Sequence, residues 1–114
     1  MRELVLSYEG KPGARELLAP ADTVTGITST VIKPATGQFK NKHAKCVVIQ
    51  NKGVGNAKFT IDGTDPTALA GTNIGFVLTQ YSSYIISDKD AIDKFRVVDN
   101  VSGALSKIEV VAFF

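Results

Sequence analysis

Several things are scarce or missing in this sequence, and each absence excludes something. There is one cysteine, one histidine and no tryptophan. A lone Cys46 rules out an internal disulfide, so the chain must fold without covalent staples. Lying in the apolar run "KCVVIQN", that thiol is expected to be buried and inert. A single imidazole, His43, with no other histidine and one thiol, does not make a zinc site of the usual nitrogen and sulfur kind. No serine stands in a Gly-x-Ser-x-Gly setting, so the sequence carries no catalytic motif; catalytic, cofactor-binding and metal-ligating residues are expected to be none. No apolar run approaches the ~18–20 residues of a membrane-spanning helix. The opening "MRELVLSYEG" carries Glu3 early and is only briefly apolar, unlike a signal peptide.

Acid is missing from the middle of the chain. Between Asp22 and Asp62 there is no acidic residue, while Lys33, Lys40, Lys42, Lys45, Lys52 and Lys58 give that interval a charge of +6. From Asp62 onward seven acids face four basic residues, a balance of −3. Such asymmetry marks a nucleic-acid face, lets copies of one protein dock positive on negative, or is simply a solvated lysine-rich surface. Neither an arginine cluster nor interleaved aromatics accompany the lysines, so nucleic acid is not an expected partner.

What is present is period-two patterning. With 114 residues, 44% of them hydrophobic and 21% charged, the chain suits one globular domain, 1–114. Strands are expected in "RELVLSY", in "TVTGITSTVI" with a bend at Gly26, and in "AKCVVIQN", which is apolar on both faces. "NAKFTIDG" alternates, with Phe59 and Ile61 inward and Lys58, Thr60 and Asp62 outward. "IGFVLTQ", "SYIISD", "KFRVVDN" and "SKIEVVAFF" follow, the last placing Ile108, Val110, Ala112 and Phe114 on one side. Helix is sparse: one turn in "GARELLAP" and a 3₁₀ turn in "DKDAID". About eight short strands at such spacing predict an all-β protein, a single β-sandwich of jelly-roll type.

Two segments look irregular: about 9–22, mixing proline, glycine and charge, and the basic loop 33–43. In that loop Phe39, flanked by Lys40 and Lys42, is a candidate interface anchor or a cap on the core edge. Phe113 and Phe114 cannot both face one core in a regular strand, so one of them is a further interface candidate, with a second sheet of the same domain as the alternative. "FTIDGTDPTALAG" reads as a structural turn. Gly63 is suited to φ > 0, Asp62 to bonding the backbone ahead, and Pro66 pushes Asp65 toward extended geometry. As a calcium loop it lacks the third aspartate and the closing glutamate.

The stretch "VVIQNKGVGNAKFTIDGTDPTALAG", with the later "IDKFRVVDNVSGALSKIEVVAFF", resembles small β-sandwich proteins of tailed bacteriophage virions. Asn51, Gly53, Asn56, Asp62, Gly63, Pro66 and Thr67 fall on the recurring pattern, which covers Ala44 to Phe114. The resemblance implies a virion structural protein, made in the bacterial cytoplasm and assembled onto particles. Head decoration or cement proteins are prominent among these; their partners are the major capsid protein and copies of themselves, with no nucleic acid and no membrane. The alternative is a collar, head-fibre or tail-associated receptor- or carbohydrate-binding module, for which Tyr81 and Tyr84 are the candidate contacts. A similar Asp-Gly-x-x-Pro-Thr turn occurs in sandwich modules attached to glycoside hydrolases, so an enzyme accessory domain is a third reading.

Overall fold

The computed structural model describes residues 11–20, 23–66, 74–100 and 105–114. Among the described residues, seven strands form two antiparallel sheets. They are β1 (Pro12–Leu18), β2 (Cys46–Asn51), β3 (Ala57–Thr60), β4 (Phe76–Leu78), β5 (Ser83–Ile86), β6 (Arg96–Asp99) and β7 (Ile108–Phe113). Among the same residues two short helices accompany them, α1 (Ser29–Ile32) and α2 (Lys89–Lys94).

One sheet runs β1-β7-β2-β5 and the other β4-β3-β6. Thr25 adds an isolated antiparallel bridge to Val97 on the free side of β6. Counted as the second of eight strands, that bridge completes the order 1-8-3-6 in one sheet and 2-7-4-5 in the other. This is jelly-roll topology, with its second strand shortened to one residue pair. The fold is thus an all-β sandwich.

The inner faces follow from alternation. Ile108, Val110 and Ala112 of β7 are buried, with Glu109, Val111 and Phe113 on the opposite face. Val47 and Ile49 of β2 join them, and Phe59, Val97 and Phe95 come from the other side. Phe59 forms the aromatic hub, tilted against Phe95, Phe76 and Tyr84 with ring centroids 5.8, 5.7 and 5.1 Å away. Tilted pairs at such spacing add to stability beyond the area they bury.

Several expectations are corrected. "GARELLAP" forms no helical turn. It pairs antiparallel with β7 as the edge strand β1, register Arg15 to Val111 and Leu18 to Ile108. Cross-strand pairing outweighs the weak helix preference of a segment holding both glycine and proline. "TVTGITSTVI" keeps strand geometry only at Thr25 and then makes one helical turn that buries Val31 and Ile32. "DKDAID" is a short α-helix, not a 3₁₀ turn. Asp88 caps it by accepting from the Ala91 N–H, and Lys94 pairs with Asp90 one turn back at 3.4 Å. Lys58 and Thr60, expected to face solvent, are buried. β3 is the central strand of its sheet, and the backbone at Gly75 passes over the Lys58 stem. A Cβ at Gly75 would lie 2.6 Å from Lys58 Cγ, and φ there is +120°, so only glycine suits. The strand expected in "RELVLSY" and the Thr67 position lie outside the described residues.

Candidate functional site

Strand alternation places the loops β2–β3, β4–β5 and β6–β7 at one end of the sandwich. All three converge on one buried side chain, Asn51, the last residue of β2. Its Nδ2 donates to the carbonyls of Gly55 (2.8 Å) and Leu78 (3.0 Å). Its Oδ1 accepts from the N–H groups of Gly53 (3.0 Å) and Lys107 (3.4 Å). Its backbone carbonyl accepts from the Tyr81 N–H at 2.6 Å. One amide thus uses both donors and both lone pairs to hold three chain segments.

Asp99, the last residue of β6, does the same for the loop that follows. Its carboxylate accepts from the N–H groups of Leu105 and Ser106, each at 3.0 Å, and from the Ser106 hydroxyl at 2.5 Å. Gly53 permits the close approach of these loops: a Cβ there would lie 2.4 Å from the Leu105 carbonyl oxygen and 2.5 Å from the Lys107 nitrogen.

This fixed frame holds large apolar side chains out in solvent. Val54 is 73% exposed, Tyr81 68% and Leu105 61%, one on each loop. Tyr81 and Leu105 also sit at φ 65° and 61°, the left-handed region that costs a side-chain-bearing residue about 1 kcal/mol. Exposed apolar groups on strained, doubly tethered loops are what a preformed docking surface requires, because little further entropy is lost on binding. Lys52 stands beside them, its ammonium 2.7 Å from Glu109, whose other oxygen pairs with Arg15 at 3.3 Å. The Lys52 bond holds the Glu109 carboxyl below its usual range.

Residues singled out by sequence lie mostly at the opposite end. Phe39 and Phe114 face each other, stacked with centroids 4.8 Å apart and planes 13° from parallel. Phe114 is buried and Phe39 packs partly buried against the core, so the pair closes that end of the sandwich. Gly13 makes room for the stack, since a Cβ there would meet Phe114 at 2.6 Å. Phe113 is half-buried on the outer sheet face, while Lys40 and Lys42 are exposed. In the turn, Gly63 takes φ +88° and the Asp62 carboxylate accepts from the Thr64 N–H at 3.0 Å. That bond lowers the Asp62 pKa. Asp65 is exposed and Pro66 buried.

Ser29, His43 and Asp93 line one hollow at this end, but they do not form a relay. His43 Nε2 lies 2.8 Å from Asp93, and its Nδ1 lies 2.7 Å from the Ala44 carbonyl oxygen. Both ring nitrogens are committed, leaving no lone pair directed at the serine hydroxyl. Among the described residues no three His, Cys, Asp or Glu side chains gather as a metal site would need, and no helix is long and apolar enough to cross a membrane.

Sequence reasoning identified Asn51 and Gly53 only as part of a pattern, and Tyr81 only as an exposed aromatic. The available signal was the Asn-x-Gly following an apolar strand, a spacing that lets the amide bond its own backbone two residues on. Compared with protein-family models, with curated proteins and with solved structures, the chain matches none of them.

Proposed function

We propose that this chain is a structural protein of a tailed-bacteriophage virion, a capsid decoration or cement protein. It docks on neighbouring capsid subunits, and on copies of itself, through the loop end built on Asn51. The observation that carries this reading is the triplet Val54, Tyr81 and Leu105, held out in solvent on three mutually tethered loops. The motif resemblance and the eight-strand topology support it, since jelly rolls recur in viral capsid domains. Bound copies stabilise the assembled shell over dissociated subunits by mass action. Burying such side chains fully is worth about 1.5–3 kcal/mol each before association costs. A single contact is therefore modest, and many copies on one shell accumulate the effect.

The test is to add the purified chain to shells that lack it and to follow co-sedimentation and shell melting. The native chain should bind and raise the resistance of the shell to heat and osmotic shock. Tyr81→Gly and Leu105→Gly remove the side chain and the backbone strain together, so they should fold at least as stably yet bind more weakly. Shells equally stable with and without the protein would overturn the proposal.

A second reading, a receptor- or carbohydrate-binding module on a collar, fibre or tail, is favoured by the exposed aromatics Phe76 (63%), Tyr81 (68%) and Tyr84 (40%). Saccharide binding that disappears in both Tyr81→Ala and Tyr84→Ala would select it.

A further inference from the structure

At the end opposite the docking loops, a hollow of about 630 Å3 opens between the segment that follows Thr25 and helix α2. Gly26, Ile27 and Ile32 supply an apolar lining; Ser29, Lys33, His43, Asp93 and Arg96 supply the polar one. Arg96 is anchored by its Nη1, which donates to the carbonyls of Phe95 (2.7 Å) and Asp93 (3.3 Å). Those bonds engage one nitrogen of the guanidinium and fix its plane; they do not engage Nε or Nη2. Gly26 makes that placement possible, because a Cβ there would lie 3.0 Å from Arg96 Nη1 and 3.1 Å from the Phe95 carbonyl oxygen. His43 Nε2 lies 2.8 Å from the Asp93 carboxylate, the one acidic group in the lining.

We infer that this hollow binds a small organic carboxylate, with the anionic group between Arg96 and Lys33 and its apolar body against Ile27 and Ile32. A guanidinium fixed in plane matches the two oxygens of a carboxylate, and Lys33 adds a second positive charge. Two permanent cations against one carboxylate leave the rim net positive, so charge alone admits either a carboxylate or phosphate; the apolar lining, which a strongly hydrated phosphate dianion cannot use, separates them. The apolar lining favours an acid with a ring or short branched chain over a bare ion. The site lies apart from the loops assigned to docking and makes no use of them.

The experiment is a nuclear magnetic resonance titration of the full chain with sodium benzoate and, separately, with inorganic phosphate at matched ionic strength. Benzoate should give saturable shifts confined to the amides around residues 26–33, 43, 93 and 96. Arg96→Gln should weaken binding by at least about tenfold, the size of a lost charge-assisted hydrogen bond. Lys33→Gln, an exposed change that leaves the helix end intact, should weaken it by about two- to fivefold. Gly26→Ala, which displaces the guanidinium, gives a second route to the same loss if Arg96→Gln fails to fold. No saturable shift with benzoate, shifts centred elsewhere, or affinity unchanged in Lys33→Gln and Gly26→Ala would overturn the site. Phosphate binding as tightly as benzoate would overturn the carboxylate assignment.

Discussion

Replacing Asn51 by alanine tests the docking frame most directly. The substitution removes four side-chain hydrogen bonds, to Gly53, Gly55, Leu78 and Lys107, at a position with no solvent exposure. Two of them, with Leu78 and Gly53, are fully buried. Leaving such partners unpaired costs about 1–3 kcal/mol each. The other two are partly buried, the Lys107 bond is long at 3.4 Å, and each is worth about 0.5 kcal/mol. The expected loss is about 3–7 kcal/mol, a large share of the 5–15 kcal/mol typical of a natural domain. In urea, with a slope of about 1.3 kcal/mol/M, the midpoint should fall by about 2–5 M at unchanged slope. Asn51→Asp separates hydrogen bonding from packing. It keeps the acceptor facing Gly53 and Lys107 but turns a second oxygen toward the Gly55 and Leu78 carbonyls. At neutral pH it should be less stable than Asn51→Ala, and it should recover in part in acid, where a protonated carboxyl can donate again. A midpoint for Asn51→Ala equivalent to less than about 1 kcal/mol of loss would refute the keystone assignment.

Three further predictions rest on independent observations. Gly53→Ala places a Cβ 2.4 Å from backbone, so it should cost about 1–3 kcal/mol or more by urea denaturation and displace the amide resonances of residues 105–107. Glu109, held below the usual carboxylate range mainly by Lys52, releases its proton more readily in the folded than in the unfolded chain. Its contribution is therefore present above about pH 4.3, the unfolded value, and lost as pH falls through the lower folded value. Glu109→Gln should then destabilise by no more than about 1 kcal/mol at neutral pH, with the gap closing in acid and in 1 M salt. Cys46 is buried and burial pushes its thiol up, so a thiol reagent at pH 7 should label it only on unfolding; labelling of native protein at the rate of a free thiol would contradict that placement.

Some of this was legible from short windows. The inward set Ile108, Val110, Ala112 and Phe114 needs only the two-residue period of a strand. The turn at Asp62 and Gly63 is equally local, since a carboxylate reaches the backbone two residues on whatever the rest of the chain does. The sandwich class followed from repeated alternation broken by turn residues. Where windows misled, a partner distant in sequence decided the outcome. Gly13 to Leu18 is a strand because β7 lies beside it, and Lys58 is buried because β3 is flanked by β4 and β6 and crossed at Gly75.

By itself, the sequence determined which residues alternate, where the chain turns, and that neither disulfide nor thiol–imidazole zinc chemistry holds the fold. Tertiary structure alone decided which strands are edges and which are central. It also decided that Phe39 closes on Phe114 and that Val54, Tyr81 and Leu105 stand together at one end. The physical reason is range. Side-chain period and turn chemistry act over two to four residues, whereas Asn51 reaches Lys107 across 56 positions, and such a contact exists only once the sheets have paired.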